Sequence, residues 1–178
     1  MSLKSLIKMS KNILIIAGHS GSGKSTVAKE LHGKTGYELL GFSYAGRELA
    51  NFTKFESRFA EINDYIYHCI INTMNNEGTV IVDGLASIDV LNNLFKTTYR
   101  VRMYYIETPY VERIKRMANR HGCSFAIAEK IEKSKAFGKA NAGINDVLEF
   151  VDVLLDGNKS VSNLVNEIIE DLKNELNM

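Results

Sequence analysis

Short apolar runs alternate along this chain with longer stretches of helical periodicity. The runs occupy residues 12–17, 79–83, 101–106 and 151–155, and a weaker one occupies residues 37–40. Two of them, NILIIA and TVIVD, are largely continuous rather than alternating, which is typical of parallel strands covered on both faces. Strands of this kind separated by helices predict an α/β sandwich with right-handed crossovers.

Two helical stripes are clear, and one segment has no clear pattern. Apolar side chains recur at helical spacing from Phe55 to Ile70 and from Val161 to Leu176, and core packing explains both stripes. The segment from Arg120 to Gly143 is rich in glycine and lysine and predicts a mobile surface segment rather than sheet or core. With one proline and no linker or repeat, we predict a single domain over residues 12–178 and an N-terminal extension over residues 1–11.

Composition narrows the class of partner. The 178 residues are 45% hydrophobic and carry a net charge of +1, so bulk charge suggests neither a nucleic-acid nor a membrane partner. Ten basic and four acidic residues lie between positions 100 and 139, whereas two basic and eight acidic residues lie between 146 and 178. This asymmetry predicts an anion site near the basic segment. Two cysteines without a disulfide framework favour free thiols and a cytoplasmic location.

The most specific motif is GHSGSGKST at residues 18–26, which matches the phosphate-loop pattern G-x-x-x-x-G-K-[ST]. Glycines let successive main-chain amides face one anion. The helix that follows points its N-terminus, the positive end of its dipole, at the same anion. The motif predicts that Lys24 reaches the β- and γ-phosphates of a nucleotide and that the Ser25 hydroxyl binds Mg²⁺. The predicted nucleotide-binding residues of the loop are Gly18, Ser20, Gly21, Ser22, Gly23, Lys24, Ser25 and Thr26.

Two further positions are candidates for binding substrate or metal. Asp83 ends an apolar strand, and ligands of parallel sheets gather beyond the carboxyl ends of the strands. We therefore predict that Asp83 holds Mg²⁺ or orients the phosphate acceptor, the alternative being a turn-forming Asp-Gly pair. Arg47 follows the weak strand, where it is a weaker candidate for binding a substrate phosphate.

The segment after Pro109 predicts a helix with one apolar and one basic side. Val111, Ile114, Met117 and Ala118 are predicted on the apolar side, and Arg113, Arg116 and Arg120 on the basic side. A solvated basic face is the ordinary explanation, but guanidinium groups near a phosphate loop are well suited to phosphoryl oxygens. The lysines at 130, 133, 135 and 139 are predicted either to belong to a closing lid or to be solvated.

Together these motifs resemble the nucleoside-monophosphate-kinase-like family of phosphate-loop kinases, which includes adenylate, cytidylate and dephospho-coenzyme A kinases. GHSGSGKSTVAKEL, VIVDG, and Pro109 followed by Arg116 and Arg120 carry the resemblance. It implies a three-layer sandwich with a five-stranded parallel sheet, a short lid over residues 121–143, and transfer of the γ-phosphoryl group of ATP with Mg²⁺. It also implies that Arg116 lies on adenine and that Arg120 contacts phosphates, so the predicted catalytic residues are Lys24, Asp83, Arg116 and Arg120.

One departure from the family pattern concerns the acceptor. Family members that grip AMP carry Asp-Gly-x-x-Arg, whereas Ser87 stands at the arginine position here. We predict a small-molecule phosphate acceptor between Arg47, Asp83 and the lid, most favourably a nucleoside monophosphate. Dephospho-coenzyme A or another small molecule is the alternative acceptor, and a nucleotide-binding regulatory ATPase without a small acceptor is the rival class.

Overall fold

The computed structural model describes residues 11–43, 45, 48, 51–85, 87–141 and 143–176. Within these residues one parallel sheet has the strand order β2-β3-β1-β4-β5. All five predicted strands are present, with ends shifted by no more than two residues. Their bounds are β1 Asn12–Ala17, β2 Glu38–Gly41, β3 Val80–Asp83, β4 Arg100–Glu107 and β5 Val153–Asp156.

Helices cover both faces of the sheet. Their bounds are α1 Lys24–Thr35, α2 Ser57–Glu77, α3 Ile88–Phe95, α4 Tyr110–His121, α5 Phe125–Asn141, α6 Ile144–Val147 and α7 Val161–Leu176, with a 3-10 turn at Leu148–Phe150. Alternate residues of β1 enter two cores: Ile13 and Ile15 pack with α2 and α3 on one face, and Leu14 and Ile16 pack with α1 and α7 on the other. Every residue of β1 is buried, as its continuous apolar run predicts.

The segment from residue 120 to 143 differs from its prediction as a surface segment. Most of it forms the helix α5, whose Ala128 and Glu132 are buried, and Ala128 joins Ile114, Met117 and Ala118 of α4 in a small third core. The sequence shows no clear apolar stripe for α5 because one of its buried residues, Glu132, is charged. We call α5 the lid helix.

The helix α3 was not predicted from the sequence. It is short, and Ile88, Val90, Leu91 and Leu94 bury its apolar face. The Ser87 hydroxyl caps it by accepting a hydrogen bond from the Val90 amide at 3.4 Å. Both cysteines are free, as predicted. No helix in the described part of the chain is long and apolar enough to cross a membrane.

At the amino end of the sheet, an ionic network fastens α7 to β4. Arg102 donates two hydrogen bonds to the Asp171 carboxylate, at 3.0 and 2.7 Å, and the Tyr104 hydroxyl donates a third at 2.8 Å. Burial acts to raise the pKa of Asp171, but the hydrogen bonds from Arg102 and Tyr104 outweigh it and hold the pKa below its ordinary value. The ionised form of Asp171 therefore stabilises the fold.

We predict that Asp171→Asn lowers the free energy of unfolding at pH 7 by about 1–2 kcal/mol, because charge-assisted hydrogen bonds are lost. Since the folded-state pKa of Asp171 is depressed, its contribution is present above about pH 4 and disappears as the pH falls below that value. Urea denaturation at several pH values measures both effects. Glu170→Gln, an exposed neighbour on α7, is the control and should change little. A difference between variant and wild type that does not shrink in acid would contradict this assignment.

Candidate active site

The phosphate loop joins the end of β1 to the start of α1, and its shape depends on glycine. Gly21 and Gly23 have φ angles of +80° and +97°, in the left-handed region, and Gly23 caps α1. A Cβ atom on Gly21 would lie 2.5 Å from the main-chain oxygen of Arg113. The first turn of α1 contains no acidic residue, so the positive end of this helix is left for a ligand.

Helix α4 fixes the loop from its outer side through main-chain carbonyls. The Ser20 carbonyl accepts a hydrogen bond from Arg113 Nη1 at 3.2 Å. The Ser22 carbonyl accepts from Arg116 Nη1 at 3.2 Å and from the Thr108 hydroxyl at 3.3 Å. Because N–H and C=O point in opposite directions across a trans peptide, the amides of the following residues, Gly21 and Gly23, are turned away from α4. Both amides therefore face the concave side of the loop, where an anion fits.

Lys24 is half-buried and lies at the centre of a group of charges. Its side chain passes over Gly84, where an added Cβ would lie 3.2 Å from Lys24 Cε. Burial lowers the pKa of Lys24; Asp83 opposes this shift, and Arg120 adds to it. Lys135 lowers the pKa in the same way as Arg120, and Glu132 acts like Asp83. Arg120 and Lys135 are thus close enough to Lys24 for their charges to act on it, and positive charge of this kind attracts an anion.

Asp83 supplies a carboxylate at the edge of this group. It pairs in register with Ile16, just before the loop begins. Its Oδ1 atom is buried and has no hydrogen-bond partner in the described part of the chain. Such an orphaned carboxylate oxygen is costly unless a cation or donor arrives with the ligand. This observation favours a ligand-binding role for Asp83 over that of a turn residue.

The donor set fits Mg²⁺ better than a metal held by protein alone. The described residues contain no group of three or more His, Cys, Asp or Glu side chains that could hold a metal ion. Magnesium commonly takes one or two protein oxygens and completes its shell with waters and substrate phosphates. The Ser25 hydroxyl, exposed in the first turn of α1, and the orphaned Asp83 oxygen match this pattern. These two residues would hold the ion.

Arg116 connects the phosphate loop to the turn after β5. Besides its bond to Ser22, it donates from Nη2 to the Gly157 carbonyl at 2.9 Å. A side chain at Gly157 would collide with Thr108, so the turn closes tightly against the end of β4. The guanidinium of Arg116 thus lies between the phosphate loop and the turn after β5. No role was predicted for Thr108, because its role arises from close backbone approach.

The predicted faces of α4 are wrong at two positions. Arg113, predicted on the basic side, is buried with only 8% of its surface exposed, and Val111, predicted on the apolar side, is 51% exposed. Arg113 can be buried because Glu132 of the lid helix neutralises it at 2.7 Å. Arg116 and Arg120 do lie on the exposed side.

The remaining basic candidates divide into three groups. Of the lid lysines, Lys135 influences Lys24, whereas Lys133 points outward and pairs with Glu129 at 3.5 Å. Lys130 is exposed. Arg47 and the side chain of residue 139 lie outside the described residues, so their predicted roles stay predictions.

A separate cleft of about 890 Å³ lies on the outer side of the loop. Its lining includes His19, Tyr105, Arg113, Leu148 and Leu154, but not Lys24, Ser25 or Asp83. The His19 and Tyr105 rings meet edge to face, with centroids 6.2 Å apart. His19 therefore takes part in this cleft rather than in the group around Lys24, and we assign it no chemical role.

The fold and the loop define a phosphate-loop nucleotide-binding protein, and comparison with known families agrees. A family profile described as an AAA domain matches residues 14–136, more than half of the chain. The chain belongs to this family. No curated protein sequence matches the chain significantly.

Solved structures share the fold over nearly the whole chain. Shikimate kinase from Acinetobacter baumannii in complex with shikimate is 19% identical, with a TM-score of 0.61, over 97% of this chain and 98% of that chain. A gluconokinase from Sinorhizobium meliloti 1021 is 14% identical, with a TM-score of 0.61, over 94% of each chain. Deoxyadenosine kinase from M. mycoides is 17% identical, with a TM-score of 0.51, over 91% and 98%. The predicted likeness to nucleoside-monophosphate-kinase-like phosphate-loop kinases is confirmed.

We predict that Gly21→Ala weakens binding of ADP with Mg²⁺ by at least about tenfold, because the methyl group meets the Arg113 carbonyl and disfavours the left-handed backbone. Calorimetric titration measures the affinity. Gly33→Ala is the matched control: Gly33 lies in α1, an added Cβ there has no neighbour within 4 Å, and the change should leave affinity unaltered. Equal affinity in the two variants would show that the loop does not need glycine at position 21.

Proposed function

We propose that this protein is an ATP- and Mg²⁺-dependent phosphotransferase that moves the γ-phosphoryl group of ATP to a small acceptor molecule. The observation that carries this proposal is the position of Lys24, which passes over Gly84 beside a phosphate loop and an orphaned Asp83 carboxylate oxygen. The charges of Arg120 and Lys135 also act on Lys24. Phosphoryl transfer asks the protein for positioning and charge stabilisation rather than covalent chemistry. These residues supply both.

Each group has a distinct part in the proposed reaction. The loop amides and the positive end of α1 hold the phosphates in place. Lys24, Arg120 and Lys135 stabilise the negative charge that spreads over the transferring group. Ser25 and Asp83 would hold Mg²⁺, which would supply positive charge to neutralise the phosphates. Arg116 bridges the loop and the turn after β5, and the family resemblance implies that it would lie on the adenine.

The lid helix supports transfer over hydrolysis. It packs against α4 and brings Glu132 and Lys135 near Lys24. A helix over the phosphates excludes water, which would otherwise compete with the acceptor for the phosphoryl group. This feature favours a kinase over a regulatory ATPase without a small acceptor.

Two acceptor classes are open to the proposal. A nucleoside monophosphate is the class that the family resemblance favours, and it needs a cation such as Arg47 to hold its phosphate. An alcohol is the second candidate, favoured by Ser87 at the arginine position and by the unpartnered Asp83 oxygen, which can accept a hydroxyl proton or its hydrogen bond. Structural neighbours whose names state alcohol substrates, shikimate kinase and gluconokinase, add support for the second class.

An acceptor panel tests the function directly. The protein is incubated with ATP and Mg²⁺ and one of four acceptor groups: nucleoside monophosphates, nucleosides, dephospho-coenzyme A, or polyols and hydroxy acids. ADP is then measured. Acceptor-dependent ADP formation is the expected result, and the active group identifies the class. Slow ADP release that no acceptor stimulates would support the regulatory ATPase instead.

We predict that Lys24→Met lowers phosphotransfer by about a hundredfold or more, since a charge-stabilising donor aimed at the transferring group is lost. The measurement is the initial rate with the best acceptor. Lys29→Met, an exposed lysine on the same helix, is the control and should stay near wild type. Activity of the Lys24 variant within a factor of two of wild type would remove Lys24 from the mechanism.

We also predict that Asp83→Asn raises the Mg²⁺ concentration needed for half-maximal activity by about tenfold, because a carboxylate that holds or orients the ion is lost. Rates measured over a Mg²⁺ titration give this value. Asp64→Asn, an exposed aspartate on α2, controls for the loss of one negative charge. An unchanged Mg²⁺ requirement in the Asp83 variant would place the metal elsewhere.

A further inference from the structure

A buried ion pair joins the lid helix to the phosphate loop. Arg113 Nη1 lies 2.7 Å from Glu132 Oε1 and also donates to the Ser20 carbonyl at 3.2 Å. Only 8% of Arg113 and 3% of Glu132 is exposed. A single nitrogen atom, Arg113 Nη1, therefore contacts both α5 and the phosphate loop.

The pair is incompletely satisfied, which makes it sensitive to change. Within the described residues, Arg113 Nε and Glu132 Oε2 are buried and have no hydrogen-bond partner. The Arg113 guanidinium also stacks on the Tyr110 ring, 5.4 Å from its centroid. Removing one member of such a pair leaves the other charged, buried and unpaired, and this is strongly unfavourable. Without Glu132, the charged Arg113 guanidinium would be stabilised by moving toward solvent and away from the Ser20 carbonyl.

The position of Glu132 is unfavourable for anion binding as such. Its carboxylate lies near enough to Lys24 to oppose the effect of burial on that ammonium. A negative charge beside a phosphate site repels the ligand. The ion pair of Glu132 with Arg113 reduces this repulsion, and through Arg113 the Glu132 carboxylate is connected to the Ser20 carbonyl of the loop.

We propose that Glu132 is a positioning residue: by holding Arg113 against the Ser20 carbonyl, it makes the binding shape of the phosphate loop depend on docking of the lid helix. Nucleotide binding then stabilises the docked lid helix, because coupling between two sites is reciprocal. This inference rests only on the nucleotide-binding part of the proposed function and holds for either acceptor class.

Two substitutions at position 132 separate positioning from simple charge. Glu132→Gln keeps an oxygen that accepts from Arg113 and removes the negative charge, whereas Glu132→Met removes both. Calorimetric titration with ADP and Mg²⁺ is expected to show Glu132→Gln within about threefold of wild type and Glu132→Met weaker by about tenfold or more, because fewer molecules hold the competent loop. If the two variants have the same affinity for ADP as each other, or if both bind ADP more tightly than the wild type, only the charge of Glu132 matters and the proposal is wrong.

A double variant covers the case in which Glu132→Met does not fold. Arg113→Met with Glu132→Met replaces the buried pair by two apolar side chains, a change that buried ion pairs often tolerate. The proposal expects weakened ADP binding here too, since the Ser20 carbonyl has lost its donor. In the wild type, ADP should slow hydrogen exchange of the α5 amides. In the double variant, the proposal expects that ADP no longer does so. Wild-type affinity with wild-type protection in the double variant would overturn the proposal.

Two controls complete the design. Glu129→Met, on the same helix one turn earlier, removes a more exposed carboxylate that pairs with Lys133, and it should leave ADP affinity within about twofold. Wild-type protein that binds no ADP would refute the proposed function itself. Wild-type binding with no difference among the variants would refute only the role of Glu132.

Discussion

The phosphate loop holds its shape because two of its main-chain carbonyls accept hydrogen bonds from side chains on the α4 side. The Ser20 carbonyl accepts a hydrogen bond from Arg113, and the Ser22 carbonyl accepts hydrogen bonds from Arg116 and Thr108. Because each peptide is trans, the Gly21 and Gly23 amides then point inward. The glycine backbone permits this arrangement but does not enforce it. The neighbouring helix α4 does, and the rest of the candidate site follows from the position of that helix.

The charges around the loop are arranged for a ligand that the protein itself does not provide. Lys24, Arg120 and Lys135 repel one another, and Asp83 carries an unpartnered oxygen. Under the proposed function, nucleotide phosphates with Mg²⁺ would relieve both conditions, since the phosphates would neutralise the cations and the ion would engage the carboxylate. At the opposite end of the sheet the Arg102–Asp171 network is well paired. The contrast is consistent with a structural role for one end of the sheet and with the candidate functional site at the other.

Local features of the chain were predictable, and features set by distant partners were not. The continuous apolar run of β1 predicted a central, doubly covered strand, and the glycine spacing at residues 18–26 predicted the loop. The burial of Arg113 was not predictable, because its partner Glu132 lies nineteen residues away on a helix with a poor apolar pattern. For the same reason α5 was interpreted as a surface segment. Roles that depend on backbone approach, such as that of Thr108, likewise have no signal in the sequence.

The central claim is that the loop at residues 18–26 holds nucleotide phosphates. A crystal structure with a non-hydrolysable ATP analogue and Mg²⁺ tests it most directly. The account predicts phosphate oxygens within hydrogen-bond distance of the Gly21 and Gly23 amides and of the Lys24 ammonium, with the ion beside Ser25 and Asp83. A nucleotide found in the outer cleft beside Tyr105 and Leu148, with Lys24 away from any phosphate, would contradict it.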